Sequence, residues 1–421
     1  MQRRETLAGL AAAAASALVG CAPPNPVTRA PAAVFIPGYY FGAATPENEP
    51  RDSARRRAKG GKMTLITRID TQGRVTQAAF PMVGHDIAIA PDHGLGFFGR
   101  IGATPSGAHH VAFDPLTLSM VGEGRAPGAG WRGGGHGLFL DNRTLLSTER
   151  APLRAYTGTP ADHHGRLVLR DPQTLAVLGT LPCHGIDPHE ARLMADGKTV
   201  AVANYGSVLR PGASDLGQPR HVVQACVTLV DLASGALVAR YAANDPEEEL
   251  RHLALGRDTI FAIRARLGPE GADRALQAAI GAKGRDITAD PGETYLPSAP
   301  VLFSTKGATV RRLAKAEETA HLRHGLSVEY DAIHDEFIAS FPSSHRLMVF
   351  SGRTGAVKRS IDTRILGLDN PSGIALLPDG QHYAVAGYWR DLHILERGSH
   401  RHRRALSHHP MLYGHSHMTA A

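Results

Sequence analysis

Short apolar runs broken by turn residues fill the chain from about Ala33 to Glu396, and their length and spacing predict strands rather than helices. Met63-Thr64-Leu65-Ile66-Thr67, Leu167-Val168-Leu169, Thr199-Val200-Ala201-Val202-Ala203, Val227-Thr228-Leu229-Val230 and Leu347-Met348-Val349-Phe350 are such runs. Hairpin signals stand between them: Thr71-Gln72-Gly73, Asp196-Gly197, Ala233-Ser234-Gly235, Arg353-Thr354-Gly355 and Asp379-Gly380. Only the stretch from Glu270 to Ala282, with Ala272, Ala275, Leu276 and Ala279, has helical spacing; it reads as an inserted loop element.

Aligning the strand starts brings out a repeat. Four clear openings are Gly84-His85-Asp86-Ile87-Ala88, Gly135-His136-Gly137-Leu138-Phe139, Pro188-His189-Glu190-Ala191-Arg192 and Pro371-Ser372-Gly373-Ile374-Ala375. Arg251-His252-Leu253-Ala254 and Arg323-His324-Gly325-Leu326-Ser327 are weaker copies. The period is roughly fifty residues, with two longer steps that reflect insertions. Four strands per unit at that period predict an all-β fold, a seven-bladed β-propeller of the WD40 or YVTN kind over residues 33–398, with Val34 to Phe80 as one blade. A two-domain β protein is the structural alternative.

In a propeller the opening residues of each innermost strand line the central channel. Histidine recurs there at His85, His136, His189, His252 and His324. Imidazole is the commonest protein ligand for late transition metals, so a convergent set would hold copper, zinc or iron. The phrase Cys183-His184-Gly185-Ile186-Asp187-Pro188-His189-Glu190 adds His184 and Glu190 as weaker candidate ligands. The competing reading is purely structural: channel histidines that bond backbone carbonyls and water. Residues 399–421 form a separate histidine-rich tail with His400, His402, His408, His409, His415 and His417, either a metal scavenger or a plain polar tail.

The amino terminus reads as an address. Arg3-Arg4 opens it, an alanine-rich apolar stretch follows to Val19, and that stretch is shorter than the about 20 residues that span a bilayer. Leu18-Val19-Gly20-Cys21 looks like a bacterial lipobox, so residues 1–21 are expected to be a signal with Cys21 as the lipidated residue, and 22–32 a proline-rich tether. Arg3-Arg4 also resembles the twin-arginine motif, without the bulky aromatic often found at the Thr6 position. The expected location is the periplasm, with the chain anchored to a membrane through the lipid on Cys21.

Composition narrows the function classes. The formal charge is +7, carried in clusters such as Arg51 to Lys62 and Arg401, Arg403 and Arg404. No basic helix with interleaved aromatics occurs, so nucleic acid is not an expected partner. Cys183 and Cys226, the two cysteines beyond Cys21, could form one disulfide but not a disulfide framework. A Gly-x-Ser-x-Gly elbow, a His-Glu-x-x-His helix, a phosphate loop and a Cys-x-x-Cys-His haem site are all missing from the sequence, and nothing in it demands an enzyme.

Gly134-Gly135-His136-Gly137 with Ser147-Thr148-Glu149, His184-Gly185-Ile186-Asp187-Pro188-His189-Glu190, Val202-Ala203-Asn204-Tyr205-Gly206 and Arg251-His252-Leu253-Ala254 together resemble an exported bacterial family, domain of unknown function 1513. The resemblance covers about Asp52 to Glu396 and implies a seven-bladed propeller. It also implies a place beside imelysin-type iron-uptake and di-haem peroxidase-like proteins, hence iron or copper handling with periplasmic metal-uptake proteins as partners. The chain departs from the family at Ser372-Gly373, where a Cys-Gly pair is usual. The resulting expectation is a tethered, non-enzymatic binding protein for copper or iron. A metal-dependent oxidoreductase or lyase with Glu149 or Glu190 as acid or base, and a protein-docking scaffold, are the alternatives.

Overall fold

The computed structural model describes residues 34–41, 62–70, 73–80, 84–102, 109–125, 127–152, 154–209, 220–243, 245, 247–267, 295–387, 390–411 and 417–421. The expected signal with Cys21, the expected tether and the stretch from Glu270 to Ala282 expected to be helical lie outside them. Among the described residues no helix is long and apolar enough to cross a membrane.

The protein is an all-β propeller, and the runs read from the sequence are its strands. Lys62–Ile69, His164–Arg170, Thr199–Asn204, Cys226–Asp231 and Arg346–Ser351 each pair antiparallel with a neighbour on both sides. The hairpin glycines Gly197, Gly235, Gly355 and Gly380 all have φ between 66° and 71°, a left-handed backbone that side-chain-bearing residues adopt at a cost.

The described strands form six sheets of four or more strands, plus the hairpin Ser207–Leu209/Arg220–Val222, rather than the seven separate blades expected. The difference arises at one seam. Gly96–Gly102 pairs with Arg132–Phe139 through Ile101↔Gly134 and Gly102↔Gly133, which joins two four-stranded runs into one eight-stranded sheet. Glycine permits the approach: a Cβ on Gly133 would sit 2.1 Å from the Arg100 carbonyl oxygen, and one on Gly99 2.2 Å from that of Gly135.

The innermost strands Gly84–Ile89, Arg132–Phe139, Pro188–Leu193, Glu248–Leu255, Ser327–Asp331 and Pro371–Leu376 touch one another in that order. The circle is closed by Thr419–Ala420, which touches the first and last of them and pairs with Val34–Phe41. The described parts of residues 399–421 therefore supply strands to two sheets of the propeller rather than a separate tail. His408–Met411 is the outer strand of the sheet built on Pro371–Leu376, and Thr419–Ala420 is the edge strand of the sheet that contains Val34–Phe41.

Apolar side chains fill the spaces between neighbouring sheets. Phe261 stacks on Phe337 with ring centroids 4.8 Å apart, and Ile263, Val328, Phe341 and Phe350 join them, all almost wholly buried. Burying each such side chain stabilises the fold by about 1.5–3 kcal/mol, so the sheet-to-sheet seams hold the ring rigid around its axis.

Candidate metal centre

Five of the six inner strands share one irregularity. Their pairing slips between Gly84 and Asp86, Gly133 and Gly137, Pro188 and Ala191, Leu250 and His252, and Pro371 and Ile374. A β-bulge twists the strand and re-aims the extra residue's side chain. Three of the slips leave out His85, His136 and His189, a fourth leaves out Arg251 beside His252, and all four imidazoles are buried. Ser327–Asp331, by contrast, pairs without a slip.

His85, His136, His252 and His417 each offer a nitrogen within 4.8 Å of the other three. The His417 ring lies 4.3 Å from that of His85 and 4.9 Å from that of His252, centroid to centroid. His189 adjoins the group, its Nε2 standing 3.1 Å from His85 Nε2 and 3.3 Å from His136 Nε2. Two ligands on one tetrahedral ion with bonds of about 2.0–2.1 Å are themselves about 3.3 Å apart, so these nitrogens are spaced as ligands are.

Hydrogen bonds engage Nδ1 of three of these rings. His189 Nδ1 lies 2.6 Å from the Gly134 carbonyl oxygen and 3.2 Å from Arg150 Nη2. His136 Nδ1 is 2.9 Å from Asp86 Oδ2, and His252 Nδ1 is 3.3 Å from Glu190 Oε2. Carboxylate or carbonyl behind Nδ1 is the arrangement that orients metal-bound histidines. Burial, with the neighbouring His136, His252 and Arg150, pushes the pKa of His189 well down; burial likewise lowers that of His252 although Glu190 opposes it. Both rings are neutral at pH 7, the form that donates a lone pair.

Behind the ring the supports are themselves fixed. Asp187, with φ 57°, is held by Arg132 and Arg150 at 3.1 and 3.2 Å and anchors the turn into Pro188-His189. Arg150 also lies over Tyr205, whose ring packs 4.6 Å from His189. Gly135, at φ 107°, leaves room for His85: a Cβ there would sit 2.7 Å from the imidazole Cδ2.

The centre opens into a cavity of about 230 Å3 lined in part by Asp86, Glu190, Arg192, Ser327 and Glu329. Arg192 bonds Glu190 at 2.7 Å and Glu329 at 3.1 Å. Burial pushes the Glu190 carboxyl upward, but Arg192 and His252 more than offset it and hold its pKa far below the usual range. Three carboxylates against one arginine make the cavity wall suited to a cation rather than an anion.

Of the residues expected from sequence, the structure brings His85, His136 and His252 into one group with His189 beside it. Glu190 serves as the partner of His252 rather than as a member of the group. His324 is outside the group: it sits at φ 57° in the turn before an unbulged strand, so nothing turns its ring toward the others. His184 is outside as well, its Nε2 donating to the Gly235 carbonyl at 2.8 Å. Cys183 and Cys226 are unpaired, and burial pushes both thiols up to about 12, which leaves neither a thiolate ligand at neutral pH. Glu149 is enclosed by Arg170 and Arg166 at 2.5 and 2.8 Å and does not line the cavity. His417, which sequence reasoning set in a histidine-rich tail, belongs to the group, and Asp86, given no role there, stands behind His136.

Fold and centre together define a class: a β-propeller whose inner strands gather histidines into a cluster able to bind a metal ion. The chain belongs to the family described as protein of unknown function DUF1513, which matches residues 83–419. No curated protein matches it. Among solved structures it is similar to a chain of Kuenenia stuttgartiensis hydrazine synthase, with 14% identity, a TM-score of 0.52, and coverage of 81% of this chain and 94% of that one. It is also similar to a chain in the crystal structure of a mitotic checkpoint complex, with 11% identity, a TM-score of 0.49, and coverage of 77% and 81%. At such identities the likeness concerns the fold alone.

Proposed function

We propose that this protein is a metal-binding propeller that holds copper, or iron, at the histidine centre and acts in metal handling without turnover. The observation that carries the reading is the convergence of His85, His136, His252 and His417, each with a nitrogen within 4.8 Å of the other three, while Asp86 and Glu190 back Nδ1 of His136 and His252. For a site of nitrogen donors the divalent series ranks copper above iron, which puts copper first. The eight-stranded sheet acts as two blades in this reading, so that seven four-stranded units surround the axis. The lipobox at Cys21 supports a tether outside the cytoplasm, and Cys21→Ser is expected to release the protein from the membrane fraction.

Metal content of protein made without a purification tag tests the main claim. We expect the parent to hold one more equivalent of copper or iron per chain than a His136→Ala/His417→Ala variant that keeps its fold by circular dichroism. Protein that retains no metal after incubation with copper(II) or iron(II), or a variant that binds as the parent does, would sink it. The cavity beside the ring supports a second reading, a metal-dependent oxidoreductase or lyase acting on a small molecule. Turnover that vanishes on chelation and returns with metal would favour that reading over binding alone.

A further inference from the structure

A second group of ligand-type side chains lies on the outer half of one sheet, on the strands Arg390–Glu396 and His408–Met411. Asp391, His393 and His409 each place one donor atom within 4.8 Å of the other two. The backbone is arranged for this as it is at the ring. Pairing slips between Arg390 and Leu392, and Asp391 between them takes the left-handed φ of 73°. His409 Nδ1 lies 3.0 Å from Asp391 Oδ1, close to the about 3.3 Å that separates two ligands on one tetrahedral ion. Arg390 holds the other carboxylate oxygen at 3.6 Å.

His393 supplies the independent observation. Its ring is 2% exposed, yet Nδ1 has no hydrogen-bond partner among the described residues. A buried polar nitrogen left without a partner costs free energy, and a metal ion is a partner that would remove that cost. His402 stacks on His393 at 4.3 Å and 5°, with its own Nε2 spent on Ser407 Oγ at 3.0 Å, so it fixes the orientation of His393 rather than adding a fourth donor. The His409 side chain is 68% exposed, which opens the group to solvent.

We propose that Asp391, His393 and His409 form a second site, for a divalent late transition metal such as zinc(II), with its fourth position left to water or to an external ligand. Two imidazoles and one carboxylate are a donor set that zinc accepts, and three protein donors leave zinc one position open. The site does not depend on the ring: it is solvent-facing where the ring is buried.

The test is zinc titration of the full chain against a chromogenic chelator, in a His136→Ala/His417→Ala background that disables the ring. One equivalent is expected to remain. His409→Ala, at an exposed position, and Asp391→Asn, which keeps the side chain's size, are each expected to weaken it at least tenfold, with the unfolding midpoint of the metal-free protein unchanged. Cobalt(II) in place of zinc is expected to give visible bands of four-coordinate intensity that His393→Gln abolishes. A ring-disabled protein that binds no zinc overturns the proposal, as does an equivalent whose affinity neither His409→Ala nor Asp391→Asn alters.

Discussion

Replacing Asp86 by Asn tests the ring without touching a ligand. Asp86 Oδ2 lies 2.9 Å from His136 Nδ1, and the amide keeps the size and one accepting oxygen while removing the charge that raises the basicity of the ring. Losing an outer partner of this kind typically weakens a metal site about 10–100-fold. At a metal concentration of about 100 times the parent's Kd, binding stabilises the folded state by about 2.7 kcal/mol; the variant would keep between about 0.4 and 1.4 kcal/mol. The propeller unit Ala33–Ala421 comprises roughly 390 residues, and its unfolding entropy near 60 °C is then about 0.8 kcal/mol/K. Metal should raise the parent's Tm by about 3 °C and the variant's by only about 0.5–2 °C. Differential scanning calorimetry of chelator-treated and copper-loaded samples reads this directly. Equal metal-induced shifts in the parent, Asp86→Asn and His136→Ala would refute the assignment of the metal to these rings.

Metal-free protein should lose stability as pH falls below about 6.5, because unfolded histidines take up protons there while His189 and His252, with lowered pKa values, stay neutral in the fold. Each group that stays neutral in the fold contributes a slope that approaches about 1.4 kcal/mol per pH unit below the unfolded pKa; urea midpoints at pH 7, 6 and 5 measure it, and a flat profile contradicts the burial of the ring. Cys183 and Cys226, raised to about 12, should stay unreactive toward a thiol reagent at pH 8 and react fully in guanidinium; rapid labelling of the native protein would contradict their burial. Gly135→Ala forces a side chain onto a φ of 107° and into His85, so a loss of about 1–3 kcal/mol together with weakened metal binding is expected. A variant with normal stability and affinity would show that this turn does not position the ring.

The strands were legible in the sequence because each is a short apolar run ended by a turn residue that the backbone requires, as at Gly197 or Gly380. His85, His136, His189 and His252 were legible because each opens a repeat. A slip in pairing lies at or beside each of them, and a slip leaves no mark in a pattern of apolar and polar positions: Arg323-His324-Gly325 reads much like Arg251-His252-Leu253, yet the strand after it pairs without a slip. His417 was hidden by distance along the chain. A propeller closed by a strand near residue 420 places a late histidine where the period predicts an early one, and the histidine-rich stretch around it disguised the repeat. The fusion of two sheets was equally invisible, since it depends on how closely Gly99 and Gly133 let two backbones approach.

Closure by Thr419–Ala420 also has a consequence in time. A nascent chain can gather His85, His136 and His252 as soon as their sheets stack, but the fourth member of the group arrives only when the segment around residue 417 has been made and has docked against Val34–Phe41. Contacts between residues so far apart in sequence form late in folding. An unfinished or misfolded chain therefore presents at most three of the four imidazoles, and its grip on a metal ion should be weak. On the proposed function, tight capture would be a property of the finished ring alone, and a bound ion would tie the two ends of the circle together.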